Sequence, residues 1–519
     1  MPNLTRLRRE LVVVTRTGVM SGGPGHAGAP AFALHAEAVA SLSEIIRQKG
    51  GALRPHFGLS ARRLQALSFA LASRDPQVPG ALSRYYRVDA ADEQLESIAA
   101  SLYGHAEVQS VFLKPSAEPP TILNAMAPSA AEPPSETPDF TERQNYLDPA
   151  PGGVDARYAW SLPGGAGDRV SIIDIEGEWR FSHEDLVDNE GGVVGGTPPG
   201  DLGWRNHGTA VLGVFHGGKN GFGVTGICPN ANVRGISVFN DGASAAVRAA
   251  ADLLDAGDII LIELHYPGPR FNFQPRDDQR GYIPAEWWPD TFEAIRYATQ
   301  KGVIVVEAGG NGAENLDDPL YDINPPAPYG PFPSTWSNPF RRTPLDSSAI
   351  VVGAGAPPQG THQHDWGPDR SRLDFSNYGA IVDVQGWGRE VTSCSYGDLQ
   401  GGDNEDLWYT DQFSGTSSAS PVIVGVLGAL QGALRAAGQP LLTPNSARAV
   451  LRGSGSPQQD GAAGPATQRI GNRPDLQVFI RQLIPNAPQA VSQPTVTAAQ
   501  TININIGDTK VARIVNINL

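Results

Sequence analysis

Apolar positions set two different rhythms along the chain. In the first 115 residues, Glu10 to Arg16 carries a β-branched run suited to a buried strand. Val39, Leu42, Ile45 and Ile46 then recur at helical spacing, and Gly50-Gly51 ends that helix. Leu53 to Phe57 and Arg84 to Val88 read as short strands. Leu95, Ile98 and Leu102 mark a second helix beginning near Asp92, and Val108 to Leu113 reads as a closing strand. A βαββαβ order of this size predicts a small ferredoxin-like α+β domain over residues 1–115. Residues 116–151 shift to Pro, Ala, Ser and Glu, which predicts an extended linker with little structure of its own and a natural place for proteolytic cutting. From 152 to 485 the second rhythm appears. Near-continuous apolar runs (VSIIDI, NVRGISVF, DIILIEL, GVIVVEA, AIVVGAG) recur, and helical stretches such as DTFEAIRYATQKG alternate with some of them. That alternation predicts an α/β domain of three layers, a mostly parallel sheet covered on both faces, with ligands at the carboxyl ends of its strands. Residues 486–519 read as a further linker and a β-hairpin tail. Ile502, Ile504 and Ile506 alternate with polar residues before a Gly507-Asp508 turn. An edge hairpin packed on the main domain and a docking tag are both compatible with that tail.

Composition narrows the function classes. A chain of 519 residues exceeds one ordinary domain, and 40% hydrophobic with 18% charged residues is globular composition. A formal net charge of -15, with thinly spread Lys and Arg, argues against a nucleic-acid partner. The two cysteines, Cys228 and Cys394, read as buried thiols rather than a disulfide, and no Cys/His cluster has zinc-ligand spacing. Near the N-terminus the apolar run Leu11 to Val14 is too short for a secretory signal, and no stretch is read as apolar enough for a membrane span. The default expectation is a cytoplasmic protein, with export by a non-standard route left open.

Four short segments carry candidate chemistry. In FSGTSSASPVIVGVLGAL, Ser417 lies between a Gly-Thr turn and a helix start, where free backbone N–H groups favour a developing oxyanion. In RNHGTAVLGVF, His207 opens an apolar helix, and an imidazole can take and return a proton near neutrality. In DRVSIIDIEGEWRFSHEDL, Asp174 is read at the carboxyl end of a strand, where a carboxylate could orient that histidine. In KGVIVVEAGGNGAENLDDP, Asn311 follows a buried strand and could donate its amide to an oxyanion beside the Ser417 N–H. Each has an ordinary alternative: a helix cap, a core histidine, a turn aspartate, an Asn-Gly turn.

Taken together, in the order Asp, His, Asn, Ser, these segments resemble the subtilisin family of serine peptidases. The pattern stands as Asp174-Ile175-Glu176-Gly177, His207-Gly208-Thr209, Ala308-Gly309-Gly310-Asn311 and Gly415-Thr416-Ser417-Ser418-Ala419-Ser420-Pro421. Sedolisins share a similar serine motif but use Glu in place of His, and the intact His207-Gly208-Thr209 separates this chain from them. The resemblance implies a subtilisin-like fold and a serine endopeptidase acting on proteins or peptides, with Asp174, His207 and Ser417 as triad and Asn311 at the oxyanion. It also implies that residues 1–115 are a prosegment acting as an intramolecular inhibitor, with a zymogen that cuts itself in the linker. Substrate contacts are expected from Glu263, Leu264, Ala308, Gly309 and Gly310. Glu263 and Glu307 fall near the family's main specificity pocket, which suggests a basic residue before the cut; internal partners for both carboxylates are the competing reading. No organic cofactor is required, and calcium is left open because no ligand spacing compels it.

Overall fold

The computed structural model describes residues 4–16, 29–60, 63–64, 82–121, 128–129, 131, 133–188, 191–485 and 487. The tail hairpin expected around Ile502 to Ile506 lies outside them. Strands β1 (Glu10–Thr15), β2 (Ala52–Pro55), β3 (Tyr85–Asp89) and β4 (Val108–Lys114) form one sheet in the order β2-β3-β1-β4. Every pairing in it is antiparallel. With helices Ala29–Gln48 and Leu95–Leu102 as crossovers, this is the expected ferredoxin-like unit. Leu11, Val13, Leu42, Ile46, Ile98 and Leu102 form its own core.

The main unit is built on seven strands in the order β13-β12-β11-β8-β5-β7-β6. They are β5 (Ser171–Glu176), β6 (Val193–Gly195), β7 (Asn232–Ser237), β8 (Ile259–Ile262), β11 (Ile304–Ala308), β12 (Ile350–Gly355) and β13 (Val382–Trp387), and all their pairings are parallel. Between β8 and β11, short strands β9 (His265–Pro267) and β10 (Tyr282–Pro284) pair with each other, as do β14 (Val391–Cys394) and β15 (Tyr409–Phe413) further on.

Strand alternation divides the interior into two cores. Ile172, Ile259, Leu261, Ile304 and Val306 face the layer containing helices Leu202–His216 and Thr416–Ala436. Ile173, Ile175, Ile260, Ile262, Val303 and Val305 face helices Ala243–Leu253 and Pro289–Gln300. Helix Thr416–Ala436 is long and apolar enough to cross a membrane, contrary to the sequence reading, but it is buried within the fold from Thr416 to Leu434. Its all-round hydrophobicity suits a helix enclosed by protein on every side.

The stretch read as a linker is more structured than its composition suggests. Tyr146 and Leu147 are buried in the main core. Isolated bridges join Glu118 to His265, Thr121 to Gly415 and Asp139 to Gly223. Two stretches rich in Pro and aromatics, 269–290 and 317–342, form a seat for β4. Phe112 packs against Trp288 and Phe332, and the Leu113 N–H donates to the Pro328 carbonyl at 2.8 Å. Trp287 and Trp288 are fully buried there, with Trp336 half-buried against Trp287.

Candidate active site

The alternation that divides the cores also builds the site. Asp174 and Glu176 continue the face of Ile172, and Glu263 continues the face of Leu261. All three carboxyls therefore project toward the two helices that carry His207 and Ser417. All five side chains are buried.

His207 is held by Glu176, not by Asp174. Its Nδ1 lies 2.6 Å from Glu176 Oε2, whereas Asp174 Oδ2 accepts from the indole Nε1 of Trp179 at 2.7 Å. The reason is reach: Glu176 stands two residues further toward the carboxyl end of β5 on the same face, and its side chain is one methylene longer. Burial, and then the neighbouring Glu176 charge, push the Asp174 carboxyl far up, and burial raises the Glu176 carboxyl well above its usual range too, partly offset by Asp174. The two carboxyls thus share a buried site that disfavours two negative charges at once. Burial holds the His207 imidazole down at about 3, so it is neutral.

Ser417 lies in the first turn of helix Thr416–Ala436. Neither its Oγ nor His207 Nε2 hydrogen-bonds to a described residue, and the His207 ring packs edge-on to Phe413 at 5.8 Å. Glu263 accepts from the Ser420 hydroxyl. Burial and the charge of Asp174 raise the Glu263 carboxyl, and the Ser420 hydroxyl pulls it back. Asn311 is fixed by Thr416: its Oδ1 accepts from Thr416 N at 2.9 Å and Thr416 Oγ1 at 3.0 Å. Its Nδ2 donates to Gln279 Oε1 at 3.0 Å.

The substrate-strand residues are brought together only in part. Gly310 N donates to Thr416 Oγ1 at 3.1 Å, and Gly309 packs behind it with its N–H on Val352. Ala308 and Leu264 are buried. Glu307 leaves the group: on β11 it faces the opposite core from Ala308, and its Oε2 accepts from the Glu286 backbone at 3.2 Å. Burial and the Glu286 carboxyl raise it. The two carboxylates read together as flanking one pocket therefore lie on opposite faces of the sheet, each with an internal partner.

A segment of the chain itself occupies the cleft. Glu118 and His265 exchange both backbone hydrogen bonds at 3.1 Å, and the Pro120 carbonyl accepts from the Ser417 N–H at 3.2 Å. Gln279 Nε2 donates to the Pro119 carbonyl at 3.0 Å. Gly415 permits this approach. Its φ is +108°, and a Cβ there would meet the Pro120 oxygen at 2.2 Å. Glu176, Trp179, His265 and Gln279 were not singled out as site residues from the sequence. Glu176 alone left a signal, as a second carboxylate two residues along the strand that carries Asp174. Among the described residues, no three His, Cys, Asp or Glu side chains are disposed to hold a metal ion.

A family model described as the subtilase family matches residues 173–471, more than half of the chain. Thermitase of Thermoactinomyces vulgaris is 26% identical over 309 residues, 56% of this chain and 84% of thermitase. A thermophilic serine proteinase of Bacillus sp. (strain AK1) is 27% identical over 301 residues, 56% of this chain and 58% of that protein. The epidermin leader peptide processing serine protease of Staphylococcus aureus shares the fold at TM-score 0.51 and 15% identity, covering 93% of this chain and 100% of that one. Fervidolysin of Fervidobacterium pennivorans does so at TM-score 0.50 and 16% identity, over 93% of this chain and 62% of its own.

Proposed function

The chain belongs to the subtilase family of serine peptidases, and from that premise we propose that it is an endopeptidase made as a zymogen and working by acyl transfer at Ser417. Ser417 Oγ attacks a peptide carbonyl while His207 Nε2 takes its proton and later passes it to the departing amine. Glu176 fills the role first read for Asp174, holding Nδ1–H and stabilising the imidazolium that forms. Asp174 braces Glu176 from behind. The Ser417 N–H and the Asn311 amide are the donors for the oxyanion. Residues 1–115 act as the intramolecular inhibitor, and the enzyme cuts its own chain in the linker. No organic cofactor is needed for these steps.

The observation that carries this reading is the chain segment in the cleft, with the Pro120 carbonyl on the Ser417 N–H and Glu118 paired to His265. A carbonyl on the Ser417 N–H at a helix start lies where the oxyanion of acyl transfer would be held, which supports this reading. Intact mass and peptide mapping of wild type beside Ser417→Ala test it. Wild type should lose a fragment close to the size of the first domain and label with a fluorophosphonate, while the variant should stay whole and unlabelled. Full-length, unlabelled wild type would overturn the proposal.

A further inference from the structure

Resting on that reading, we infer that the enzyme is a post-proline endopeptidase and that the bond it cuts in its own chain joins Pro120 to Thr121. Three contacts fix the register. Glu118 pairs antiparallel with His265, which places Pro120 opposite Glu263. The Pro120 carbonyl accepts from the Ser417 N–H. Thr121 bridges to Gly415, and its hydroxyl donates to the Ser414 carbonyl at 3.3 Å. Pro119, Pro120 and Thr121 are all buried, so the segment is seated rather than resting over the cleft.

Proline at this position gives up an N–H that any other residue would direct across the ladder. What it contributes is conformation. The Thr121 N–H donates to the Pro119 carbonyl at 2.9 Å, closing a three-residue turn centred on Pro120. Such a turn calls for a central φ near about -75°, close to the value the pyrrolidine ring fixes in advance. A Cβ on Gly310 would come within 2.7 Å of Asn377 Nδ2, whose amide is itself bonded to the Gly309 and Tyr282 carbonyls at 2.7 and 2.8 Å. The His265 ring lies against Tyr282 at 4.5 Å. Neither carboxylate once assigned to a basic preference is free, since Glu263 is bound by Ser420 and Glu307 by the Glu286 backbone.

Ser417 Oγ bonds to the Pro120 carbonyl carbon and its proton passes to His207 Nε2. The C–N bond to Thr121 then breaks as that proton moves to the Thr121 nitrogen. Water hydrolyses the prolyl ester, leaving a carboxylate on Pro120 and the hydroxyl on Ser417.

N-terminal sequencing of the processed full-length protein should read from Thr121. A panel of Ala-Glu-Pro-Xaa anilides should show kcat/KM at least about tenfold higher for Xaa = Pro than for Leu, Phe, Ala or Arg. Pro120→Leu should slow self-processing by a similar factor or move the cut. Another new N-terminus, or no advantage for proline in an enzyme that cleaves casein and labels at Ser417, would overturn this inference and leave the peptidase reading standing. No labelling and no cleavage of any substrate would sink both.

Discussion

At the level of single residues, the site turns on which of two neighbouring carboxylates reaches His207. Asp174 is the residue that motif matching selects, yet the 2.6 Å contact to Nδ1 belongs to Glu176. Glu176→Gln keeps the shape but cannot hold the same imidazole tautomer, so kcat should fall by about 10,000-fold with little change in Tm. Asp174→Asn can still hydrogen-bond Glu176 and should lower kcat far less. Steady-state kinetics on both variants check this, and an equal or larger loss in Asp174→Asn would return the role to Asp174. His207 shows which electrostatic effect wins at this site: the charge of Asp174 favours the protonated ring, but complete burial outweighs it and keeps the ring neutral.

The secondary-structure elements determine how firmly these residues are held. Helix Leu202–His216 carries His207 in its second turn, and its start is fixed by Asp201. Asp201 Oδ1 accepts from Trp204 N at 3.1 Å, and Oδ2 accepts from the N–H and hydroxyl of Thr5, both at 2.8 Å. Asp201→Ala should cost about 0.5–2 kcal/mol in chemical denaturation through loss of the cap. A change within error would mean that packing alone sets this helix. Helix Thr416–Ala436 needs less help at its start, because it is buried from Thr416 to Leu434 and Asn311 ties down Thr416.

Across the whole molecule, the N-terminal domain is fastened by a buried ion cluster as well as by the segment in the cleft. His56 and Lys114 on its side both reach Asp290 Oδ2 at 2.9 Å, and Lys114 also donates to Thr291 at 2.6 Å. Every one of these side chains is buried. Lys114 and His56 hold the Asp290 carboxylate down against the burial that would raise it. Removing one partner leaves a buried charge uncompensated, typically at about 3–5 kcal/mol. Lys114→Met should therefore release the cut N-terminal fragment from the main domain at much lower urea concentrations than in wild type, as followed by size-exclusion chromatography. Unchanged retention would show that the aromatic seat around Phe112 carries the docking.

Much of this protein was legible in local sequence. The periods of two and 3.6 gave the ferredoxin-like unit and the parallel sheet, because each element must bury one stripe or face wherever it stands. Ser417, His207 and Asn311 could be proposed from sequence because each stands in a run of Gly and small residues only a few positions long. The structure decided what depends on reach across distant segments. Glu176 displaced Asp174 because side-chain length and position along β5 fix who touches His207. Glu263 and Glu307 parted because adjacent strands, read separately, do not reveal that the two residues face opposite cores. The segment from Glu118 to Thr121 looked like loose linker, since its partners His265, Gly415 and Ser417 lie more than a hundred residues away in sequence. Only the folded chain brings those backbone groups together.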